Sequence, residues 1–214
     1  MKGLFITLEG GEGCGKSTQV ARLAARLRAL GKTVVTTREP GGTPIGEEIR
    51  HVLQYSKQGH AMFPETEVLL FSASRAQHVR ELILPALARG EIVICDRFAD
   101  STTVYQGVAR KLDAKSIALL NEFAVNDCRP HLTLLLDLDV RLGMERSRQR
   151  QLTFDRMQEQ KLDFYERVRA GYLALAKREL KRIRVIDASP HPDKVEEAIW
   201  KEVGGLVAPA RRKK

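Results

Sequence analysis

The sequence predicts an α/β protein in which helices cover both faces of a parallel sheet. Short apolar runs rich in β-branched residues alternate with helical patterns along the chain, which is typical of buried parallel strands. A glycine-rich turn follows the first of these runs directly. The chain has 214 residues, 43% of them hydrophobic, which is enough to bury one substantial core. We therefore expect a single domain over residues 1–214.

Five apolar runs are the predicted strands, and each is too short to cross a bilayer. They cover residues 4–8, 33–37, 92–95, 132–136 and 183–186. We expect a helix over TQVARLAARLRAL that ends at Gly31, and another helix over residues 66–87. The loop REPGGTPIGEEI contains too many helix breakers for regular structure before about Ile45. The buried stripe of the first helix is predicted to comprise Val20, Leu23, Ala24, Leu27 and Leu30.

Composition narrows the class of partner without choosing one. The net charge of +9 suits either nucleic acid or a small substrate that carries several phosphates. Aromatic residues make up only 6% of the chain, and no zinc finger or base-stacking array is apparent, so we expect no nucleic-acid partner and no membrane partner. Cys14, Cys95 and Cys128 lack the spacing of metal ligands and fit a reducing cytoplasm.

The stretch GGEGCGKS predicts a phosphate-binding loop. It fulfils G-x-x-x-x-G-K-[ST] directly after a predicted strand and directly before an amphipathic helix. Glycines let backbone N–H groups curl around phosphate oxygens, and the helix start adds the positive end of its dipole. We expect Lys16 to reach the β and γ phosphates of ATP and Ser17 to hold Mg²⁺. The predicted nucleotide-binding residues are Gly10, Gly11, Glu12, Gly13, Cys14, Gly15, Lys16 and Ser17.

This loop occurs in GTPase switches, ATPase motors and small-molecule kinases, so it does not by itself fix a function. The chain has no Asn-Lys-x-Asp-like guanine reader and is short for a motor. A kinase that phosphorylates a small acceptor is the class that remains.

Five motifs together resemble the bacterial thymidylate kinases. In chain order they are LEGGEGCGKSTQ, TREPGGTPIGEEIR, LLFSASRAQH, ICDRFADSTTVYQG and FDRMQEQKLDFYERVRAGY. The resemblance implies transfer of the γ-phosphoryl group of ATP to dTMP by a homodimer. It also implies the P-loop nucleoside-monophosphate-kinase fold, with a five-stranded parallel sheet flanked by helices on both faces.

The resemblance assigns an acceptor site along these motifs. Phe71 and Arg75 lie four residues apart on one helix face, and the family match has them stack on thymine and bind its carbonyl edge. Without that match, Phe71 is more often a core residue than a base platform. Arg38 resembles a second acceptor-phosphate arginine. The resemblance also places Ser101 and Gln106 near the base and Tyr105 against the sugar, with helix packing as the open alternative.

Asp96 and Arg97 follow the apolar strand EIVIC, so they emerge at the carboxyl end of a strand, where ligands bind in open α/β sheets. We expect Asp96 to act on the Mg²⁺ shell. As the resemblance implies, Arg97 clamps the acceptor phosphate and is catalytic. A surface ion pair is the alternative for both residues.

Glu12 is an acidic residue inside a phosphate-binding loop. Only the backbone N–H groups of such a loop face the ATP phosphates, so the side chain is free to project toward the acceptor. A carboxylate can accept the hydrogen bond of a sugar 3′-hydroxyl, a role that the resemblance supports. The alternative is a solvated loop charge.

Catalysis requires no general base, because the second pKa of a phosphate monoester is about 6 and its attacking oxygen is largely deprotonated near neutral pH. The transferring group still requires neutralisation of its charge. The loop itself supplies no basic residue before Lys16. A predicted mobile lid at about residues 141–157 carries Arg146, Arg148, Arg150 and Arg156, which resembles the bacterial pattern of supplying arginines from a closing segment. A solvated basic helix face is the open alternative. Arg148 and Arg150 are the predicted catalytic lid residues, and Lys16 is predicted to act with them.

Two alternatives stay open at this stage. A different nucleoside-monophosphate kinase, for example one that acts on dUMP, differs by one methyl group in the pocket, which is worth only about 1–3 kcal/mol. A P-loop regulatory ATPase or nucleic-acid-binding module is the alternative from another class.

Overall fold

The computed structural model describes residues 3–56, 59–150 and 160–207, with the side chains of His60 and Arg150 left out. Within these ranges the chain forms one sheet of five parallel strands, as predicted, and the strand order is β2-β3-β1-β4-β5. Each strand lies within two residues of its predicted bounds. The strands are β1 (Leu4–Gly10), β2 (Val34–Arg38), β3 (Ile92–Asp96), β4 (Leu132–Asp137) and β5 (Ile183–Asp187).

Helices connect the strands and cover both faces of the sheet. In chain order they are α1 (Lys16–Ala29), α2 (Pro44–Tyr55), α3 (Pro64–His78), α4 (Leu84–Ala88), α5 (Ala99–Thr102), α6 (Ala114–Val125), α7 (Val140–Arg150), α8 (Leu162–Arg178) and α9 (Pro192–Val207). A 3-10 turn spans Gly59–Ala61, and π-helical turns span Val79–Ile83 and Thr103–Ala109.

Alternate residues of the central strand β1 face opposite layers of the protein. Ile6 and Leu8 pack with α1 and α9 in one apolar cluster. Phe5 belongs to the cluster on the other face. Glu9 lies four residues further along the strand, so its side chain faces the same side as Phe5. This alternation directs the Glu9 side chain toward the layer that contains α5 and α8.

Two predictions about helices need correction. The sequence predicts Leu30 in the buried stripe of α1, but this residue is 56% exposed because the helix ends at Ala29 and the chain turns there. The helix predicted over residues 66–87 is interrupted by the π-helical turn Val79–Ile83. Pro85 follows that turn and carries no N–H, so the regular hydrogen-bond pattern cannot run through this region.

Within the described ranges, no helix combines the length and the apolar character that crossing a membrane requires.

Candidate active site

The phosphate-binding loop joins the end of β1 to the start of α1, as its sequence predicts. Gly13 and Gly15 adopt positive φ angles of 67° and 91°, and α1 begins at Lys16. At Gly10, a Cβ atom would lie 2.4 Å from the carbonyl oxygen of Leu136 on β4. Only glycine tolerates that approach, so the loop can begin directly against the sheet.

Lys16 lies folded over this loop. Its Nζ donates hydrogen bonds to the carbonyl oxygens of Gly11 at 2.7 Å and Gly10 at 3.2 Å. The side chain is nearly buried, at 8% exposure. The ammonium group is thus held among backbone carbonyls at the site where the motif predicts phosphate oxygens.

Ser17 and Asp96 meet although 79 residues separate them in the chain. The Ser17 Oγ donates a 2.7 Å hydrogen bond to the Asp96 Oδ2, which brings the hydroxyl at the start of α1 to the carboxylate at the end of β3. Both oxygens are of the hard type that Mg²⁺ prefers. The pair therefore fits a magnesium site, although no group of three or more acidic, histidine or cysteine ligands occurs in the part of the chain that the structure describes.

A cavity of about 340 Å³ opens beside the loop, and the residues predicted to bind the acceptor line it. Lys16, Ser17 and Asp96 line the same cavity, so the residues predicted to bind the donor and those predicted to bind the acceptor share one space. The acceptor-side residues that line it are Glu12, Arg38, Phe71, Arg75, Arg97, Ser101, Tyr105 and Gln106.

Arg97 adopts an unusual backbone conformation, with a φ of 68°. A non-glycine residue in this region costs on the order of 1 kcal/mol or more and persists only when its surroundings impose it. Its guanidinium donates to the Gly10 carbonyl oxygen at 3.0 Å and to the Glu12 Oε1 at 2.6 Å. The strained backbone thus directs the guanidinium back onto the phosphate-binding loop.

The side chain of Glu12 lies against Arg97 and Tyr105. Its Oε1 accepts the bond from Arg97 and a longer one, at 3.3 Å, from the hydroxyl of Tyr105. Burial alone would raise the pKa of the Glu12 carboxyl, but the charges of Arg97 and Lys16 and the Tyr105 hydrogen bond outweigh it and lower the pKa. Glu12 is therefore a carboxylate at neutral pH, with partners rather than a solvated loop charge.

Arg75 is almost fully buried at 1% exposure, and most of its hydrogen-bonding capacity is directed into the protein. Its Nε donates to Glu39 at 2.8 Å and its Nη1 to the Asn121 amide oxygen at 2.9 Å. Phe71, one helical turn away, is half-buried and lies against the cavity. The location of Phe71 fits a base platform better than a core residue.

Arg38 is half-exposed and forms a 2.8 Å ion pair with Glu47 of α2. Ser101 and Gln106 are engaged mainly with other side chains. The Ser101 Oγ donates to Glu9 at 2.6 Å, and the Gln106 Nε2 donates to the buried Glu67 at 2.8 Å.

Thr102 is a cavity-lining residue that the sequence reasoning missed. Its Oγ1 is buried, and among the described residues it has no hydrogen-bond partner. A buried hydroxyl without a partner is costly unless a ligand satisfies it. Thr102 could have been identified as a candidate site residue because it follows Ser101 in the motif DSTTVYQG. The sequence alone does not show which hydroxyl of this motif lacks a hydrogen-bond partner within the protein.

The predicted lid begins as the regular helix α7, and residues 151–157 of it lie outside the described residues. Arg148 is exposed and does not line the cavity, whereas Arg150 has no described side chain. Arg146 instead donates to the carbonyl oxygens of Ala188 and Ser189, at 3.0 and 2.9 Å. The structure therefore does not bring Arg148 to the phosphate-binding loop.

A phosphate-binding loop that opens onto the same cavity as clustered arginines and an aromatic ring defines a P-loop phosphotransferase of small acceptors. Comparisons with known proteins narrow this class. The family model described as thymidylate kinase matches residues 8–199. The chain belongs to the thymidylate kinase family, so the resemblance of its motifs is confirmed.

Individual relatives agree with this assignment along nearly the whole chain. A thymidylate kinase of Syntrophotalea carbinolica is 50% identical over 92% of this chain and 93% of its own length. One from Geobacter sulfurreducens is 52% identical over 87% and 90%. The crystal structure of thymidylate kinase from Ehrlichia chaffeensis superposes with a TM-score of 0.76 at 35% identity, covering 95% of this chain and 99% of that one.

Proposed function

We propose that this chain transfers the γ-phosphoryl group of ATP to dTMP, giving ADP and dTDP for the synthesis of dTTP. The observation that carries the proposal is the single cavity shared by Lys16 and Ser17 on the donor side and by Phe71 and Arg97 on the acceptor side. In-line transfer requires donor and acceptor to meet in one enclosed space.

On the donor side, loop N–H groups from Gly10 to Ser17 bind the phosphates of ATP. The Lys16 ammonium leaves the loop carbonyls and binds the β and γ phosphates. Ser17 and Asp96 would hold Mg²⁺, which neutralises charge on those phosphates when it is bound. Residues 188–193, which follow β5, are our candidate surface for adenine. Ala188 and Ser189 at its start accept hydrogen bonds from Arg146.

On the acceptor side, Arg97 and Arg38 bind the phosphate of dTMP. Phe71 stacks on the thymine ring, while Arg75, Gln106 and the unpartnered hydroxyl of Thr102 face its polar edge. Tyr105 lies against the sugar, and Glu12 accepts the hydrogen bond of the 3′-hydroxyl. Ser101 supports this wall of the site through its bond to Glu9.

The reaction needs no general base, since the attacking phosphate oxygen is already deprotonated at neutral pH. Neutralising the charge on the transferring group is the remaining requirement. We assign this to a lid at about residues 141–157, with Arg148 and Arg150 reaching the phosphates when ATP is bound. The exposure of Arg148 is compatible with such a movement.

We further propose that the protein acts in the cytoplasm as a homodimer. All three cysteines are buried free thiols, which suits a reducing compartment. Leu69 on α3 and Leu119 and Phe123 on α6 are 55%, 71% and 78% exposed, although α3 and α6 pack against each other. A second copy that covers these side chains would remove apolar surface from water.

The test is a coupled assay of ADP release with MgATP and a panel of acceptors: dTMP, dUMP, dCMP, dGMP and UMP. We expect clear preference for dTMP. Preference for another monophosphate would retain the transfer mechanism and overturn the roles of Phe71, Arg75 and Tyr105. ADP release that no acceptor stimulates would contradict the proposal and favour a regulatory ATPase.

A further inference from the structure

Glu9 is a buried acid that the proposed transfer does not use. It lies near the end of β1, directly before the phosphate-binding loop, with 0% exposure, and it does not line the cavity. A carboxylate without solvent is costly unless hydrogen bonds satisfy it. The partners of Glu9 are distributed so that they connect three separate elements of the fold.

Both carboxylate oxygens of Glu9 accept hydrogen bonds from the acceptor-side wall. The Oε1 accepts from the backbone N–H of Phe98 at 2.8 Å, and the Oε2 accepts from the hydroxyl of Ser101 at 2.6 Å. The first bond fixes the peptide that follows Arg97, and the second fixes the first turn of α5. These bonds span 89 and 92 residues of sequence.

Tyr172 of α8 completes the arrangement from the opposite side. Its hydroxyl donates to the Glu9 Oε2 at 2.8 Å and lies 2.8 Å from the Ser101 Oγ. The Ser101 Oγ also lies 3.5 Å from the Nη1 of Arg97. A hydroxyl has one donor and two acceptor positions, so Ser101 can donate to Glu9 while accepting from Arg97.

We infer that Glu9 is a positioning residue that holds Arg97 in the orientation required to bind the acceptor phosphate. Arg97 has a left-handed backbone that its own preferences disfavour, and the bond from Phe98 to Glu9 constrains the peptide on its C-terminal side. The Ser101 hydroxyl transmits a second constraint to the guanidinium. This inference rests on the proposed function in one respect, namely that Arg97 binds the phosphate of dTMP.

The experiment compares the affinities for dTMP and for thymidine by calorimetry in a double-mutant cycle of Glu9→Gln and Arg97→Ala. Thymidine lacks the phosphate, so the ratio of the two dissociation constants isolates the contribution of the phosphate clamp. The measurement is made at pH 8, above the raised pKa of Glu9, so that the carboxylate is the main form. The substituted amide would then retain the size of the side chain and one acceptor oxygen, but it loses the charge and presents an amide donor to two hydroxyl groups.

We expect Arg97→Ala to lower the preference for dTMP over thymidine by about tenfold or more, as for a lost bond to a charged group. Glu9→Gln should lower the same preference while leaving thymidine affinity within about twofold. In the double variant, Glu9→Gln should add little to the loss of preference caused by Arg97→Ala, because both changes act through the Arg97 guanidinium. Tyr172→Phe removes one hydrogen-bond donor to Glu9 and keeps the carboxylate. It should cause a smaller loss of the preference for dTMP over thymidine, and it replaces Glu9→Gln in the test if that variant does not fold.

Thr7→Val is the matched control, because it removes a buried hydrogen bond of the same strand, to Thr133, without touching Arg97. It should leave the preference for dTMP over thymidine unchanged. An equal loss in this control, equal weakening of both ligands in Glu9→Gln, or additive effects in the double variant would each overturn the inference. If Arg97→Ala itself leaves the preference unchanged, the phosphate clamp of the proposed function is wrong, and the role of Glu9 is overturned with it.

Discussion

Single residues at the centre of this site are held by partners that the substrates would replace or share. The Lys16 ammonium occupies carbonyl oxygens of its own loop, and the Arg97 guanidinium binds the Glu12 carboxylate. Both side chains line the cavity, so we expect substrate binding to exchange these hydrogen bonds rather than to require a search for the side-chain conformation.

Replacing Lys16 by alanine should lower kcat by about 100-fold or more, because the charge on the transferring phosphoryl group loses a fixed cation. The measurement is steady-state ADP release with saturating MgATP and dTMP, together with thermal unfolding to verify the fold. Lys194→Ala, an exposed lysine at the start of α9, is the control and should leave kcat unchanged. Near wild-type turnover in Lys16→Ala would contradict its assignment.

Glu9 should also give the protein a characteristic dependence of stability on pH. Burial raises the pKa of Glu9 to about 7, and the neighbouring Asp100 carboxylate contributes to this rise, against the opposing effects of Ser101, Arg97 and Tyr172. The folded state therefore binds this proton more tightly than the unfolded state. The contribution of Glu9 to the free energy of unfolding is largest below about pH 4.5 and falls as the pH rises toward 7, by up to about 3 kcal/mol.

Urea denaturation of the wild type and of Glu9→Gln between pH 4.5 and 8 measures this effect. The free energy of unfolding of the wild type minus that of the variant should decrease with rising pH and level off above about pH 7. The subtraction cancels the titration of groups that do not interact with Glu9, and burial raises the pKa values of its neighbours Cys95 and Tyr172 well above this pH range. A difference that stays constant with pH would show that Glu9 does not titrate in this range.

At the residue scale, the motifs predicted side chains that line one cavity, but not the hydrogen bonds among them. The eight predicted acceptor-side residues line one cavity, because motifs at strand ends and on helix faces fix where side chains emerge. The hydrogen bond from Ser101 to Glu9 joins residues 92 positions apart, and the buried Thr102 hydroxyl has no partner among the described residues. No local pattern encodes such contacts, so they were beyond prediction.

Among the elements, α7 makes an unusually close contact with the phosphate-binding loop. A Cβ atom on Gly143 would lie 2.5 Å from the carbonyl oxygen of Glu12, and one on Gly13 would overlap the Gly143 carbonyl group. Two backbones therefore touch directly where the predicted lid begins. If α7 moved while the backbone of Glu12 stayed in place, a gap would open between the two backbones.

Gly143→Ala tests this contact. Alanine favours a helix over glycine by about 1 kcal/mol, yet here its methyl group must push α7 from the loop. We expect a lower thermal stability and a kcat/KM for ATP reduced by about tenfold, as for a modest misplacement of reacting groups. The matched control is Gly205→Ala in α9, where no atom lies within 4 Å of the added methyl group; it should leave activity unchanged and stability equal or higher. Unchanged activity and stability in Gly143→Ala would show that the contact is unimportant.

Periodicity predicted the regular elements well and their interruptions poorly. The strands are confirmed because buried parallel strands are continuous apolar runs. Leu30 follows the apolar period of α1, but the helix ends one residue earlier and leaves it exposed. The π-helical turn Val79–Ile83 has helical backbone at His78 and Leu84 on its two sides, so the pattern through residues 66–87 reads as one helix.

At the scale of the whole molecule, the apolar side chains left exposed on α3 and α6 are the strongest sign of association. Leu119 and Phe123 lie one turn apart on α6, so they share a face, and each is more than 70% exposed. An isolated exposed leucine is ordinary, but two large apolar residues on one helix face beside Leu69 of the packed neighbour α3 are costly in water.

Replacing Phe123 by aspartate should therefore convert the proposed dimer into a monomer, because a charge buried between two copies without a partner is strongly unfavourable. Light scattering coupled to size-exclusion chromatography measures the mass, which should fall from about twice the 24.0 kDa of the chain to one copy. Leu180→Asp, at a site that is also 70% exposed but lies before β5, is the control and should remain dimeric.

A wild-type protein that elutes as a monomer would refute the dimer, whereas a dimer that persists in Phe123→Asp would place the interface on another surface. The wild-type fold should survive in both variants, because neither side chain belongs to the buried clusters, and circular dichroism verifies that any change in mass reflects association alone.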